Sequence, residues 1–102
     1  MTVYIIAEFK IHTREAYDRY DDLFMDVFEK FDGTLFSVDE DPRVLEGEWT
    51  STRSVLISFP SEESASAWML SEAYQDIAKH RLEGSTGRAR LVKAYEPGNS
   101  FK

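Results

Sequence analysis

The sequence contains no cysteine, and it contains only two histidines among its 102 residues. Without a thiol, the chain can form no disulfide, no thiolate metal site and no cysteine nucleophile. His12 and His80 are too far apart in sequence to indicate a zinc site. The stretch 84–87 follows a predicted helix and lacks the lysine of a phosphate-binding loop, so it is interpreted as a connector. We therefore expect neither a metal nor a cofactor.

Long hydrophobic runs are also missing. No apolar segment approaches the roughly 20 residues that a helix needs to cross a membrane. The first residues, 1–8, have no basic segment and reach a glutamate early, unlike a secretory signal. We therefore expect a cytoplasmic protein without a membrane partner.

Positive charge is scarce, because 12 lysines and arginines face 19 aspartates and glutamates and leave a net charge of −7. A chain with this balance repels phosphate backbones, so nucleic acid is not an expected partner. The charges are unevenly distributed. Acidic residues are concentrated between Asp18 and Asp32 and between Asp39 and Glu48, and basic residues between Lys79 and Lys93. Solvated faces explain this distribution better than a dedicated binding patch.

The remaining composition is that of a folded domain, with 42% hydrophobic and 14% aromatic residues. A chain of this length forms one domain and buries enough surface for a core without metal or disulfide support. We expect residues 1–96 to form a single domain. Residues 97–102 have little hydrophobic pattern and are expected to form a flexible tail.

Alternation of apolar and polar residues predicts strands at residues 3–11 and 53–59. Shorter or weaker patterns predict strands at residues 34–38 and 88–96. Residues 44–49 fit either a further short strand or an extended loop.

Apolar residues at steps of three and four predict a helix that begins after Thr13 and ends near Gly33, where glycine could adopt a left-handed cap. A second helical segment begins after the capping residue Ser61. Ser71 can cap a further helical piece, which predicts a break near residue 70, and Gly84 is expected to end this piece.

The order strand, helix, two strands, helix, strand predicts an α+β, ferredoxin-like βαββαβ fold, with a four-stranded antiparallel sheet and two helices on one face. The opposite sheet face would carry Tyr4, Ile6, Glu8 and Leu56. This face is too apolar for comfortable exposure and too polar for a simple core. Either this face is solvated and tolerated, or it packs against another surface and encloses a partly polar cavity, as a symmetric homodimer would do.

From Tyr4 to Tyr95, the chain resembles the uncharacterised domain-of-unknown-function family 1330. The resemblance rests on Glu15-Ala16-Tyr17, Val44-Leu45-Glu46-Gly47, Val55-Leu56-Ile57-Ser58-Phe59-Pro60-Ser61, Ala67-Trp68, and Ser71-Glu72-Ala73-Tyr74-Gln75 followed by Arg81. It implies a ferredoxin-like subunit whose sheet packs on its twin to form a dimeric α/β barrel. Related families include cofactor-independent monooxygenases and muconolactone isomerases, with a small-molecule site between sheet and helices. The chain departs from the family pattern at Thr34 and Val38-Asp39, where basic residues are expected.

Two charged residues are candidates for chemistry at such a site. Glu8, placed in a strand, would become a general base if a dimer partner desolvated it, or would remain a rim carboxylate paired with Lys10 or an arginine. Arg81 follows Tyr74 on one helical face, where it could clamp a carboxylate or phosphate. It could equally extend past the core and stabilise the helix C-terminus.

The other candidates have simpler alternatives. His80 is a weak catalytic candidate because histidine as a residue type titrates near neutral pH, but its neighbour Asp76 predicts a surface ion pair instead. Glu46 and Trp49 could line a cavity mouth or belong to an edge strand, and Arg53 shares this ambiguity. The residues predicted to bind a ligand are Tyr4, Glu46, Trp49, Arg53, Tyr74 and Arg81.

Together these features favour a homodimer that binds a small, partly apolar molecule and could act on it without a cofactor, as a monooxygenase- or isomerase-like enzyme. The alternative is a non-catalytic interaction or regulatory module, in which the acidic helix face and the basic last strand contact another protein.

Overall fold

A computed structural model describes residues 1–98 of the chain, which form four strands and three helices. In chain order, these elements are β1 (Val3–Ile11), α1 (Arg14–Phe28), β2 (Thr34–Asp39), β3 (Arg53–Phe59), α2 (Glu62–Met69), α3 (Glu72–Gly84) and β4 (Ser85–Lys93). The strands form one antiparallel sheet in the order β2-β3-β1-β4. The fold is the predicted ferredoxin-like one, with the second helical segment divided into α2 and α3.

The central strand β1 separates two surfaces. Val3, Ile5, Ala7 and Phe9 are buried, while the residues between them are half-buried or exposed. The buried side chains join a core of aromatic residues from the helices, in which the ring centres of Trp68 and Tyr74 lie 4.3 Å apart. The helices therefore cover one sheet face, and the other face is left outside.

The helix starts follow the sequence signals. The Ser61 hydroxyl accepts a hydrogen bond from the Ser64 N–H at 3.0 Å, and Ser71 accepts one from the Tyr74 N–H at 3.1 Å. Ser71 also donates to the Trp68 carbonyl at 2.8 Å. This serine therefore ends α2 and begins α3, as predicted, and fixes the backbone of two core aromatic residues.

Three expectations need revision. Helix α1 ends at Phe28, and within residues 1–98 the glycines with positive φ are Gly47 and Gly98, so Gly33 is not a left-handed cap. Gly33 instead permits close packing, since a Cβ there would lie 2.4 Å from the Phe28 ring. Residues 85–87 are not a connector but the start of β4, paired with β1, so this strand covers 85–93 rather than 88–96.

The long segment between β2 and β3 is a loop. Residues 40–50 are exposed and belong to no strand, so residues 44–49 form an extended loop and not a further short strand.

None of the helices described in residues 1–98 is long and apolar enough to cross a membrane. Residues 99–102 of the expected tail lie outside the described residues, so the flexible tail, like the cytoplasmic location, stays a prediction.

Gly84 joins α3 directly to β4 and packs its backbone against the start of α1. Its carbonyl accepts hydrogen bonds from the N–H groups of His12 at 3.0 Å and Thr13 at 3.1 Å. A Cβ at this position would lie 2.6 Å from the Tyr17 nitrogen and 2.9 Å from the Thr13 oxygen. Since backbone atoms cannot move away as a flexible side chain can, this contact requires glycine.

We expect Gly84→Ala to lower the free energy of unfolding by about 1–3 kcal/mol, as overpacking does. The sign of this change in the free energy of unfolding separates packing from helix propensity, because propensity alone would stabilise the variant by up to about 1 kcal/mol. Urea denaturation measures the effect, with Glu83→Ala as an exposed neighbour expected to stay within about 0.5 kcal/mol of the parent chain. An alanine variant as stable as the parent would contradict the packing argument.

Candidate functional site

A cavity of about 480 Å³ lies between the sheet and the helices. The helix-facing side chains of β1 and β3 line one side, and residues of α1, α2 and α3 line the other. Most of the lining is apolar and aromatic. The polar groups among the lining residues include Tyr20, Asp21, Arg53, Trp68, Tyr74 and Arg81.

Two buried tyrosines meet in this cavity. The hydroxyls of Tyr20 and Tyr74 are 2.9 Å apart and share a hydrogen bond between α1 and α3. Burial, and next the neighbouring Tyr74, raise the pKa of Tyr20 far above its ordinary value. Because one hydroxyl donates to the other, the pair retains one hydroxyl proton that can be donated to a bound molecule.

Arg81 lies in the last turn of α3 and is half-buried. Its guanidinium carbon lies 5.3 Å from the ring centre of Phe9 and 5.9 Å from that of Tyr20, in cation–π geometry. None of the ion pairs found among residues 1–98 includes this arginine. Arg81 therefore places a positive charge at the cavity wall, and the groups next to this charge are aromatic rings rather than a carboxylate.

Arg53 differs because its charge is compensated. Its side chain is only 11% exposed, and its guanidinium donates to Asp21 at 2.9 Å and to Glu40. Burial raises the pKa of Asp21, and the charge of Arg53 opposes this change. Burial also raises the pKa of Tyr17, whose ring lies beneath the Arg53 guanidinium, to about 12. Arg53 thus joins β3 to α1 and to the loop that follows β2.

Three N–H groups of the cavity-lining residues are buried and have no hydrogen-bond partner within residues 1–98, namely Arg53 Nε, Trp68 Nε1 and Arg81 Nε. A buried donor left in this state costs about 1–3 kcal/mol, so native proteins contain few of them. We call these three groups, together with the Tyr20–Tyr74 hydroxyl pair, the donor set. The donor set gives the wall of one cavity several N–H and O–H groups, which can bind acceptor atoms.

The predicted residues Tyr4 and Glu8 lie on the outer face of the sheet, away from this cavity. The Tyr4 ring is 6.4 Å from that of Phe36. Glu8 accepts a hydrogen bond from the Ser51 hydroxyl at 2.9 Å and stands opposite Arg88 in the strand register. The expected pairing of Glu8 with Lys10 or an arginine is therefore replaced by a hydroxyl contact, and its role as a base stays a prediction.

The predicted residues Glu46 and Trp49 belong to the loop before β3. The Trp49 indole donates to the Glu46 carbonyl at 3.1 Å, and both side chains are exposed. Trp49 lines a second cleft of about 270 Å³ with Glu8, Ile6 and Arg88. The ligand-binding candidates thus fall into two groups, with Arg53, Tyr74 and Arg81 at the interior cavity and Tyr4, Glu46 and Trp49 outside it.

His80 lies on α3 but does not line the interior cavity. The expected ion pair with Asp76 is wrong, because Asp76 pairs with Lys79 at 3.2 Å. The half-buried His80 has no ion-pair partner among residues 1–98.

Among residues 1–98, no group of three or more histidine, aspartate or glutamate side chains is arranged to hold a metal ion.

Tyr20 and Asp21 were not predicted as site residues. Tyr20 belongs to the apolar stripe of α1, and Asp21 follows it in sequence at the border of that stripe. An acidic residue beside a predicted core position is a usable signal, because it needs a cation nearby. That cation, Arg53, was itself predicted as a site residue.

The fold and the cavity define the class of protein. The chain has a ferredoxin-like fold, with a cavity between its sheet and its helices. The model of the family described as "Domain of unknown function (DUF1330)" matches residues 2–95. The chain therefore belongs to the DUF1330 family, as the sequence resemblance predicted. No curated protein is similar enough to match it.

Solved structures share the fold at low sequence identity. A protein of unknown function from Rhodopseudomonas palustris is 17% identical, with a TM-score of 0.77 over 94% of this chain and 84% of the other. A dimeric ferredoxin-like protein of unknown function from Jannaschia sp. is 10% identical, with a TM-score of 0.73 over 92% of this chain and 100% of the other. SnoaB, a cofactor-independent oxygenase from Streptomyces nogalater, is 13% identical, with a TM-score of 0.64 over 97% of this chain and 98% of the other.

An ion-pair network at one end of the cavity holds the loop after β2 in place. Arg14 donates to both carboxylate oxygens of Glu40, at 2.9 and 2.8 Å, and Arg53 donates to the same carboxylate. The hydrogen bond from Arg14 is the main cause that lowers the pKa of Glu40 below its ordinary 4.5. A carboxyl group with a lowered pKa stabilises the folded state above its ordinary pKa, and this contribution is lost as the pH falls through the lowered value.

We expect Glu40→Gln to lower the free energy of unfolding at pH 7 by about 1 kcal/mol or less, since the carboxylate is partly exposed to solvent. The difference from the parent chain should shrink as the pH falls below 4.5, the ordinary pKa of the carboxyl group. Urea denaturation at a series of pH values measures it. Glu29→Gln, which removes an exposed carboxylate outside the network, is the control, and a Glu40 difference that persists unchanged at low pH would contradict the assignment.

Proposed function

We propose that this protein is a homodimeric small-molecule-binding protein whose ligand occupies the interior cavity. The observation that carries the proposal is the donor set on the wall of a cavity of about 480 Å³. Ligand sites in proteins have this size and this character, with mostly apolar walls and a few convergent polar groups.

A filled core would look different. Protein interiors are packed as densely as organic crystals, and each sizeable void costs stability in proportion to its volume. In this cavity, the buried N–H groups of the donor set lack acceptors, which is unfavourable. The apolar side chains of the same wall lack packing partners. A bound molecule with an apolar body and acceptor atoms would correct both deficits.

The homodimer is supported by the outer sheet face. Ile6 and Phe36 on this face are 39% and 59% exposed, and Trp49 beside it is 50% exposed. Apolar groups that share one face favour an interaction surface, and association about a two-fold axis is the commonest way to cover it. The Jannaschia protein, which shares the fold, is described as dimeric.

A cofactor-independent reaction on the bound molecule would extend this proposal, and the tyrosine pair supports that extension. The raised pKa keeps Tyr20 protonated, so the Tyr20–Tyr74 pair suits hydrogen-bond donation to an oxygen that gains negative charge. A role as an ionised base would be disfavoured. The alternative, a non-catalytic interaction module, would leave the cavity unused.

Cavity binding is tested with N-phenyl-1-naphthylamine, a neutral dye whose fluorescence rises in apolar sites. Ala89 faces the cavity from β4 and is exposed at its edge, so Ala89→Trp should fill part of the cavity without overpacking the core. We expect the parent chain to bind the dye and the tryptophan variant to bind it at least about tenfold more weakly, as blocked apolar contacts imply.

The matched control is Ala67→Trp, which adds the same side chain at an exposed position of α2 outside the cavity lining. It should bind the dye as the parent does. If the dye fails to bind the parent chain, or binds both variants equally well, cavity binding is refuted and the interaction module becomes the better interpretation.

The dimer is tested by Ile6→Lys, which places a charge in the centre of the outer face. We expect the parent chain to sediment as a dimer and this variant as a monomer at the same concentration, because burial of an unpaired charge opposes association. Leu70→Lys is the control, since Leu70 is 76% exposed at the junction of α2 and α3 on the helix side. A monomeric parent chain would refute the proposal.

A further inference from the structure

We propose that the ligand carries an oxyanion, such as a carboxylate or an enolate, that pairs with Arg81, and that this group is attached to a flat apolar body. This inference rests on the proposed function, because it names the class of molecule that the same cavity takes.

The described lining of the cavity carries excess positive charge, because it includes three arginines, Arg53, Arg81 and Arg88, and one carboxylate, Asp21. Arg88 also lines the outer cleft. Arg53 and Asp21, both lining residues, form an ion pair at 2.9 Å, and Glu40 adds a second carboxylate to Arg53. Arg81 has aromatic neighbours instead. A partly buried cation without a counter-ion is unfavourable, and an anionic ligand supplies the missing charge.

The hydrogen-bonding inventory points the same way. Every member of the donor set presents an N–H or O–H group, whereas Asp21, the carboxylate of the cavity lining, already accepts from Arg53. A molecule that fits must therefore bring acceptors. A carboxylate or enolate is the richest source of them, because an ionised oxygen accepts several hydrogen bonds and gives none.

The geometry of Arg81 suits a two-pronged contact. A guanidinium group that stacks against rings, here those of Phe9 and Tyr20, keeps its in-plane N–H groups available for two parallel hydrogen bonds to a carboxylate. The surrounding aromatic lining, which includes Phe24 and Trp68, forms flat walls. These walls favour a planar apolar body next to the anionic group.

A structural role for Arg81 is the competing explanation. Its charge lies in the last turn of α3, where it stabilises the negative end of the helix dipole, and its stem packs on the core. In that case the cavity would still bind apolar molecules but would not distinguish an acid from a neutral molecule of the same shape. The two explanations therefore differ in a measurable preference.

The test is displacement of N-phenyl-1-naphthylamine from the parent chain by 2-naphthoate or by 2-naphthamide, which have the same ring body and nearly the same size. We expect 2-naphthoate to displace the dye at about tenfold lower concentration, as a charge-assisted pair with Arg81 implies. The preference should weaken as salt is added, since added ions screen the pair.

Arg81→Met is expected to abolish this preference while the affinity for the dye changes less than about twofold, because methionine keeps much of the apolar stem. Arg19→Met removes the same charge from the exposed face of α1, where Arg19 lies 3.6 Å from Glu15, and should leave the preference intact. The comparison within the parent chain needs no variant, so a folding defect in Arg81→Met would still leave the preference for an oxyanion decided. In that case Arg81→Gln, which removes the charge and keeps a polar side chain, assigns the preference to Arg81.

Equal displacement by the acid and the amide, or no displacement by 2-naphthoate, would overturn the oxyanion inference while cavity binding of the dye still stood. Failure of the dye itself to bind the parent chain would overturn the proposed function as well. A preference that survives in Arg81→Met would also overturn the inference, because another group would then recognise the acid.

Discussion

Strand β1 is hydrogen-bonded along both of its edges, to β3 on one side and to β4 on the other. A strand held in this way cannot rotate, so its successive side chains must point to opposite faces of the sheet. Phe9 therefore faces the helices and Glu8 the outside. This constraint divides the molecule into an interior cavity and an outer face. Each functional candidate on the sheet belongs to one of the two by its position in the strand register.

The fold could be predicted well where the cause is local. Ser61 and Ser71 begin helices because a serine hydroxyl accepts from an N–H group three residues ahead, and sequence shows both partners. Gly33 and Ser85 were misassigned because their environment is set by tertiary contacts. Gly33 packs against the Phe28 and Phe59 rings, and Ser85 pairs with Ile11 in β1.

The candidate site shows the same division. Tyr74 and Arg81 were placed together correctly, because a helix brings residues seven positions apart to one face. Tyr20, whose hydroxyl bonds to that of Tyr74, belongs to α1 and not to α3. Nothing in the sequence of either helix alone indicates that these two hydroxyls meet. His80 was paired with Asp76 by spacing, but Lys79 occupies that carboxylate. Where two basic side chains lie near one carboxylate, sequence spacing cannot show which of them pairs with it.

The Tyr20–Tyr74 hydrogen bond joins residues that are 54 positions apart in the chain. Between them lie two strands and a helix that must already be in place, because the same cavity also needs Arg53 from β3. Closing such long loops costs chain entropy before any contact repays it, so the contacts that line the cavity depend on the fold as a whole. The cavity is thus a property of the complete domain, and a molecule bound there would slow global unfolding rather than protect one segment.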